Sequence, residues 1–295
     1  MRETAYRMTF DLHTHTTYSH GTIRPHGKGT VAENAEAAAR RGLRELAISD
    51  HGPGHLFYGI RRDQIPLARE EVRREDAARP DLKVWFSVEA NIMDTENGLD
   101  VPKAEQGAFD FLLAGYHYGV RQGHCLANWT SARVHAGESA ARRLARVNTD
   151  LYLRAIYEND LKVLTHPGDK APVYMEEVAK ACADRGTWME ISTRHAHLTL
   201  PEIQVCMKED VRFIISSDAH SPARVGEFEG GLARARAAGL DLTRIVNIEP
   251  APDEDACPGE GTAAARGLSA SGPDAAGGSG VPAVEAGASR DDQEA

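Results

Sequence analysis

The sequence predicts a closed parallel α/β barrel followed by a tail that forms no core, and three observations carry that prediction. Short apolar runs recur up to Pro250, and one after another ends in histidine, aspartate or glutamate. Stretches of helical composition separate the runs, the alternation of a βα fold rather than of a sheet with segregated helices. Beyond Pro250 Gly, Ala, Ser, Pro and acids dominate, and large apolar residues all but vanish.

Taken in order, residues 8–12 form the first run and lead into His13 and His15. Runs this short and continuous read as strands buried on both faces. Residues 31–41 are rich in Ala and Glu, follow Thr30 as N-cap and stop at Gly42, so a helix is expected there. The run 46–49 leads to Asp50 and His51. A charged, periodic segment at 65–78 tolerates Pro66 in its first turn. The runs 84–88, 111–116 and 162–165 end at Glu89, His117 and His166. Residues 139–159 read as one long helix or two, and 173–185 as a helix closed by Gly186. One more strand is expected at 187–191, a short helix at 201–209, and a strand at 213–217 leading to Asp218 and His220. A helix at 228–238 and a short strand at Ile245–Val246 complete about seven βα units. In a closed ring of such strands the C-terminal ends converge on one face, so residues distant in sequence would meet there.

Residues 251–295 cannot bury enough surface to offset their ordering entropy and are read as a disordered tail, leaving 1–250 as one domain. The formal charge of −10 comes mostly from that tail, which holds nine acidic and two basic residues. The near-neutral body offers no basic footprint for nucleic acid. No apolar stretch approaches the roughly 18 residues of a membrane span. The N-terminus lacks the apolar core of a signal peptide. Cys125, Cys182, Cys206 and Cys257 form no CxxC pair and read as reduced thiols, so a cytoplasmic protein is expected.

His13 and His15 lie on the same side of an extended backbone, because side chains alternate with a period of two. One such pair means little among 13 histidines, and His195 and His197 form a second. Repetition at the ends of six runs means more, since burying that many polar groups without a partner is costly. Mixed imidazole and carboxylate donors suit Zn²⁺, Mn²⁺ or Fe²⁺, and their number fits two or three ions.

Several segments together resemble the PHP family, named for its polymerase and histidinol phosphatase members, and within it the small stand-alone phosphoesterase-like proteins. They are residues 11–15 (DLHTH), 49–53 (SDHGP), 88–92 (VEANI), 114–117 (AGYH), 165–168 (THPG), Glu190–Ile191, 217–220 (SDAH) and 225–229 (VGEFE). The resemblance covers nearly all of 10–250 and implies a distorted, TIM-like barrel of seven βα units. It further implies three metal positions: His13, His15, Glu89 and Asp218; then Glu89, His117 and His166; then His20, His51 and His220. His20 keeps the family spacing from His15, but relatives run directly on into Lys-Gly-Thr. Here that tripeptide follows His26, which is the alternative.

The reaction expected on these grounds is hydrolysis of a phosphoester, most readily a small-molecule phosphomonoester, by water activated at the ions. Glu89 and Asp218 are expected to be essential. Arg194 is a candidate clamp for the phosphoryl oxygens and His197 a candidate proton donor to the leaving group. Asp11 and Asp50 are expected to orient imidazoles, and His55, His124 and His135 to lie on loops or the surface. The loop 52–64 reads as a lid or as a packed connector. The rivals are an amidohydrolase, weakened because no candidate strand end offers a bridging lysine; a nuclease; and a non-catalytic metal-binding module.

Overall fold

The computed structural model describes residues 4–21, 25–131, 133 and 137–252. The predicted tail falls almost wholly at 253–295, outside the described residues, as does His135.

In chain order the elements are β1 (Tyr6–Met8), β2 (Phe10–Thr14), α1 (Val31–Arg40), β3 (Glu45–Ile48), α2 (Ile65–Ala78), β4 (Lys83–Asn91), α3 (Lys103–Gln106), β5 (Phe111–Gly115), α4 (Cys125–Ser131), α5 (Glu138–Glu158), β6 (Leu161–Leu164), α6 (Met175–Arg185), β7 (Trp188–Ser192), α7 (Leu200–Cys206), β8 (Phe213–Ser216), α8 (Glu229–Ala237) and β9 (Ile248–Pro250). Strands β2 to β8 form one parallel sheet in sequential order. A parallel bridge from Thr14 to Ala219 brings the end of β2 to the segment after β8, giving a mostly closed seven-stranded barrel.

Local chemistry explains the helix ends. Thr30 accepts from the Glu33 N–H while Glu33 accepts from the Thr30 N–H, a reciprocal cap that starts α1. Gly186, at φ +69°, closes α6 in a left-handed turn that a side chain would disfavour. Residues 138–158 form a single helix.

Period-two alternation builds the barrel interior in layers. Phe10, Trp85, Phe111 and Trp188 pack at the N-terminal end against Leu12, Ala47, Leu113, Val163 and Ile214. Further along the same strand faces, two or four residues beyond these side chains, stand Glu89, Gly115, Thr165, Glu190 and Ser216. The interior therefore passes from aromatic to aliphatic to ionisable along the barrel axis. Leu113 is completely buried in the middle layer, and Leu113→Ala is expected to cost about 2–5 kcal/mol in chemical denaturation. A cost below about 1 kcal/mol would mean that this layer is not tightly packed.

The seam between β2 and β8 differs from the expectation. Ile245–Val246 forms no barrel strand; it makes an isolated bridge to Phe213. Asn247 then fills the seam with its side chain: Nδ2 donates to Phe10 O (2.8 Å) and Ile215 O (2.6 Å), and Oδ1 accepts from Ile215 N (3.0 Å). One amide thus satisfies edge groups that an eighth strand would otherwise take. The last strand among the described residues, β9, pairs antiparallel with β1, and Arg7 and Arg44 tie this pair to Glu249.

Candidate metal centre

The C-terminal ends of the seven strands converge as expected and carry a polar cluster buried beneath the mouth. His13, His15, His51, Glu89, His117, His166, Glu190, Asp218 and His220 are each less than 8% exposed. Glu89 lies at the centre. Its Oε2 is 3.0 Å from His51 Nδ1 and 3.3 Å from His13 Nε2. Its Oε1 is 2.9 Å from His166 Nε2 and 3.3 Å from His117 Nε2. Asp218 stands alongside, with Oδ1 at 3.2 Å from His15 Nε2 and 3.3 Å from His220 Nδ1. The backbone turns sharply to present two of these groups: His166 has φ +26° and Asp218 φ +49°. Such conformations cost on the order of 1–3 kcal/mol each and persist where the surroundings enforce them. For His166 the enforcing contact is its N–H, which donates to Glu190 Oε2 at 2.8 Å.

Supporting residues set the ring orientations. His13 Nδ1 donates to Glu190 Oε1 (2.7 Å), and His117 Nδ1 donates to Asn91 Oδ1 (2.8 Å). With those protons committed, Nε2 of His117 presents a lone pair toward a carboxylate oxygen, one acceptor facing another. The Nε2 atoms of His51, His117 and His220 are buried without a hydrogen-bond partner. Each such orphan costs about 1–3 kcal/mol unless something satisfies it. Imidazole nitrogens and carboxylate oxygens, deprived of protons and turned on one another, fit divalent cations. Among the described residues four triads have ligand atoms mutually within 4.8 Å: His13, His15 and Asp218; His51, Glu89 and His117; His15, His51 and His220; His166, His195 and Asp218.

The electrostatics agree. Burial raises the Glu89 carboxyl, but the His117 and His13 imidazoles outweigh it and hold the group well below the usual carboxylate range. Asp218 is likewise held low against its burial, by His13 and His220. Burial keeps His15, His117 and His220 well below the ordinary imidazole value, hence neutral and able to ligate. His13 is the exception: burial lowers it, but Glu89, Glu190 and Asp218 together push it well up.

Gly115 makes room for this arrangement. A Cβ there would lie 2.2 Å from Thr165 Oγ1 and 2.8 Å from Glu89 Oε1, and Thr165 donates to that same oxygen at 2.7 Å. Gly115→Ala is expected to expel the Thr165 hydroxyl and weaken metal binding by about 10- to 100-fold. Metal titration checks this, and wild-type affinity would show that Glu89 does not depend on the gap.

Other expected residues are distributed differently. His20 is not brought into the cluster; its Nε2 meets Gln64 Oε1. The ring of His26 instead lies 4.4 Å from that of His220 and 5.4 Å from that of His51. His197 faces Asp169 at 3.6 Å, whereas His195 reaches the cluster. His195 Nε2 is 3.0 Å from Asp218 Oδ2 and its Nδ1 is 3.1 Å from Asp169 Oδ2. Arg194 Nε lies 3.9 Å from Asp218 Oδ2 at the mouth. Among the described residues neither Asp11 nor Asp50 hydrogen-bonds an imidazole ring directly: Asp11 accepts from Ser217 and from the His13 and Gly226 N–H groups, and Asp50 from Thr16 and from Ser19, whose hydroxyl lies 3.4 Å from His15 Nδ1. They staple the barrel seam and the loop after β2. His55 lies in the loop 52–64, as expected, and is buried there, while His124 is exposed.

The loop 52–64 is a packed connector. Gly54 N donates to Asp100 Oδ2 (2.7 Å), Leu56 N to Gly119 O (2.9 Å) and Ile60 N to His51 O (2.8 Å). Among the described residues no helix is long and apolar enough to cross a membrane.

The family model for the PHP domain matches residues 11–194. A probable phosphatase of Caldanaerobacter subterraneus subsp. tengcongensis is 30% identical over 237 residues, covering 76% of this chain and 80% of that protein. A probable phosphatase of Acetivibrio thermocellus is 28% identical, covering 76% and 84%. Among solved structures, the histidinol phosphate phosphatase of Lactococcus lactis, complexed with zinc, L-histidinol and phosphate, superposes with a TM-score of 0.53. It is 14% identical and covers 79% of this chain and 95% of that one, a likeness of fold.

Proposed function

This chain belongs to the PHP domain family, and from that premise we propose that it is a metal-dependent phosphoesterase that hydrolyses a small-molecule phosphomonoester. The observation that carries the reading is the Glu89 carboxylate, whose two oxygens face two different sets of imidazoles. That is the arrangement of a bridging ligand. His13, His15, Glu89 and Asp218 are assigned to a first divalent cation, and Glu89, His117 and His166 to a second. His26, His51 and His220 are assigned to a third, His26 taking the place that family spacing gave to His20. When bound, such cations polarise a phosphoryl group and lower the pKa of water.

The chain's own residues supply the rest. Glu190 and Asn91 lock His13 and His117 in orientation, which keeps their Nε2 atoms turned inward. Arg194, one-third exposed at the rim, offers a guanidinium fork to phosphoryl oxygens. His195, held by Asp169, is the imidazole positioned to meet a departing alkoxide, the role for which His197 was the candidate in the sequence. The Lactococcus enzyme's bound histidinol and phosphate make histidinol phosphate the natural first substrate to try.

Protein loaded with Zn²⁺ or Mn²⁺ is assayed on phosphomonoesters including L-histidinol phosphate, on phosphodiesters and on single-stranded DNA. Release of phosphate from a monoester is expected; cleavage of diesters or DNA alone would overturn the monoester reading. The third position has its own check. His26→Ala is expected to lose one equivalent of metal and His20→Ala none, and the reverse result would restore His20.

A further inference from the structure

Of the three cation positions, the third is the least supported by its own strand ends. His51 and His220 lie within four residues of the ends of β3 and β8, but His26 comes from the long loop after β2. Among the described residues no side chain hydrogen-bonds the His26 ring. Its close partner is an aromatic face: the rings of His26 and Tyr58 stack with centroids 3.9 Å apart and planes 9° from parallel. Tyr58 stacks in turn on His55, at 4.8 Å and 20°. The three rings form a column along one side of the mouth.

The base of that column is fixed. His55 is buried, and its Nδ1 accepts the N–H groups of Phe57 (3.3 Å) and Tyr58 (3.1 Å). It packs where Gly119 leaves space, since a Cβ on Gly119 would stand 3.0 Å from His55 Cε1. Asp100 holds the start of the loop through Gly54 N, and accepts from the backbone and side chain of Asn91, the residue that orients His117. The loop 52–64 is thus anchored to the ligand scaffold at its base and presents Tyr58 to His26 at its tip.

We propose that Tyr58 is a positioning residue for the third cation: stacked between His55 and His26, it holds the His26 imidazole over His51 and His220. This rests on the three-cation reading of the site. The packed loop 52–64 is on this account a clamp. An aromatic face suits the task because a neutral imidazole stacked flat keeps both ring nitrogens in its plane, free to ligate at the edge.

The test measures metal stoichiometry and stepwise affinity in full-length wild type, Tyr58→Phe and Tyr58→Ala, with circular dichroism as a control for folding. Tyr58→Phe keeps the ring and is expected to match wild type. Tyr58→Ala is expected to bind the weakest equivalent about 10- to 100-fold less tightly while the other two hold. Unchanged binding of all three by Tyr58→Ala would overturn the proposal, as would equal weakening of all three. Wild-type protein that binds only two ions with full phosphatase activity would remove the third position and this role with it, leaving the phosphoesterase reading intact. Absence of both metal and activity in wild type would strike that reading instead.

Discussion

Glu89→Gln is expected to release the first and second cations together and to lower phosphomonoester turnover by at least about 10³-fold. The size follows from position. The carboxylate lies within 3.3 Å of four imidazoles, and its two oxygens face different pairs of them. An amide of the same shape removes the negative charge and turns one of those oxygens into a donor. No neighbouring acid can take over: Glu190 is committed to His13 and to the His166 backbone, and Asp218 sits across the cluster. Removing one member of a buried charge network typically costs about 3–5 kcal/mol, so folded variant must be verified before activity is compared. Metal content by mass spectrometry and phosphate release measure the two effects. Retention of both at wild-type levels would eliminate Glu89 as the shared ligand.

Asp218→Asn is expected to lose the first cation, with turnover down at least about 10²-fold, while the second and third positions keep much of their affinity. Asparagine is chosen because residue 218 has φ +49°, a conformation that Asn tolerates far better than most side chains. The substitution therefore isolates the carboxylate from the backbone. Asp218→Ala would combine the loss of a ligand with backbone strain and is expected to melt lower than Asp218→Asn. Differential scanning calorimetry of the pair separates the contributions; equal melting temperatures with equal loss of metal would mean that the backbone turn contributes nothing.

The strands and most of the candidate ligands were legible because both follow from local rules. A short apolar run ending in His, Asp or Glu gives the strand and the exposed end at once, and parallel closure does the gathering. That reasoning anticipated His13, His15, His51, Glu89, His117, His166, Asp218 and His220, which the structure brings to one pole. It stopped where long-range geometry decides. His20 and His26 both lie in the segment between β2 and α1, and only the folded loop shows that His20 turns to Gln64 while His26 stacks on Tyr58 beside His51 and His220. His195 and His197 form one motif and Asp169 faces both, yet it is His195 that reaches Asp218. Glu190 did leave a signal: an acid two residues from Trp188 in an otherwise apolar strand must point into the barrel. Asn247 left none, because its work is to join β2 to β8 across more than 200 residues of chain.

Anomalous diffraction from crystals grown or soaked with Mn²⁺ tests the central claim most directly. Two peaks about 3.5–4 Å apart, one on each side of the Glu89 carboxylate, are predicted. A third is predicted beside His26, His51 and His220. A well-ordered site with no peak at Glu89, or one peak touching only a single Glu89 oxygen, would contradict the account.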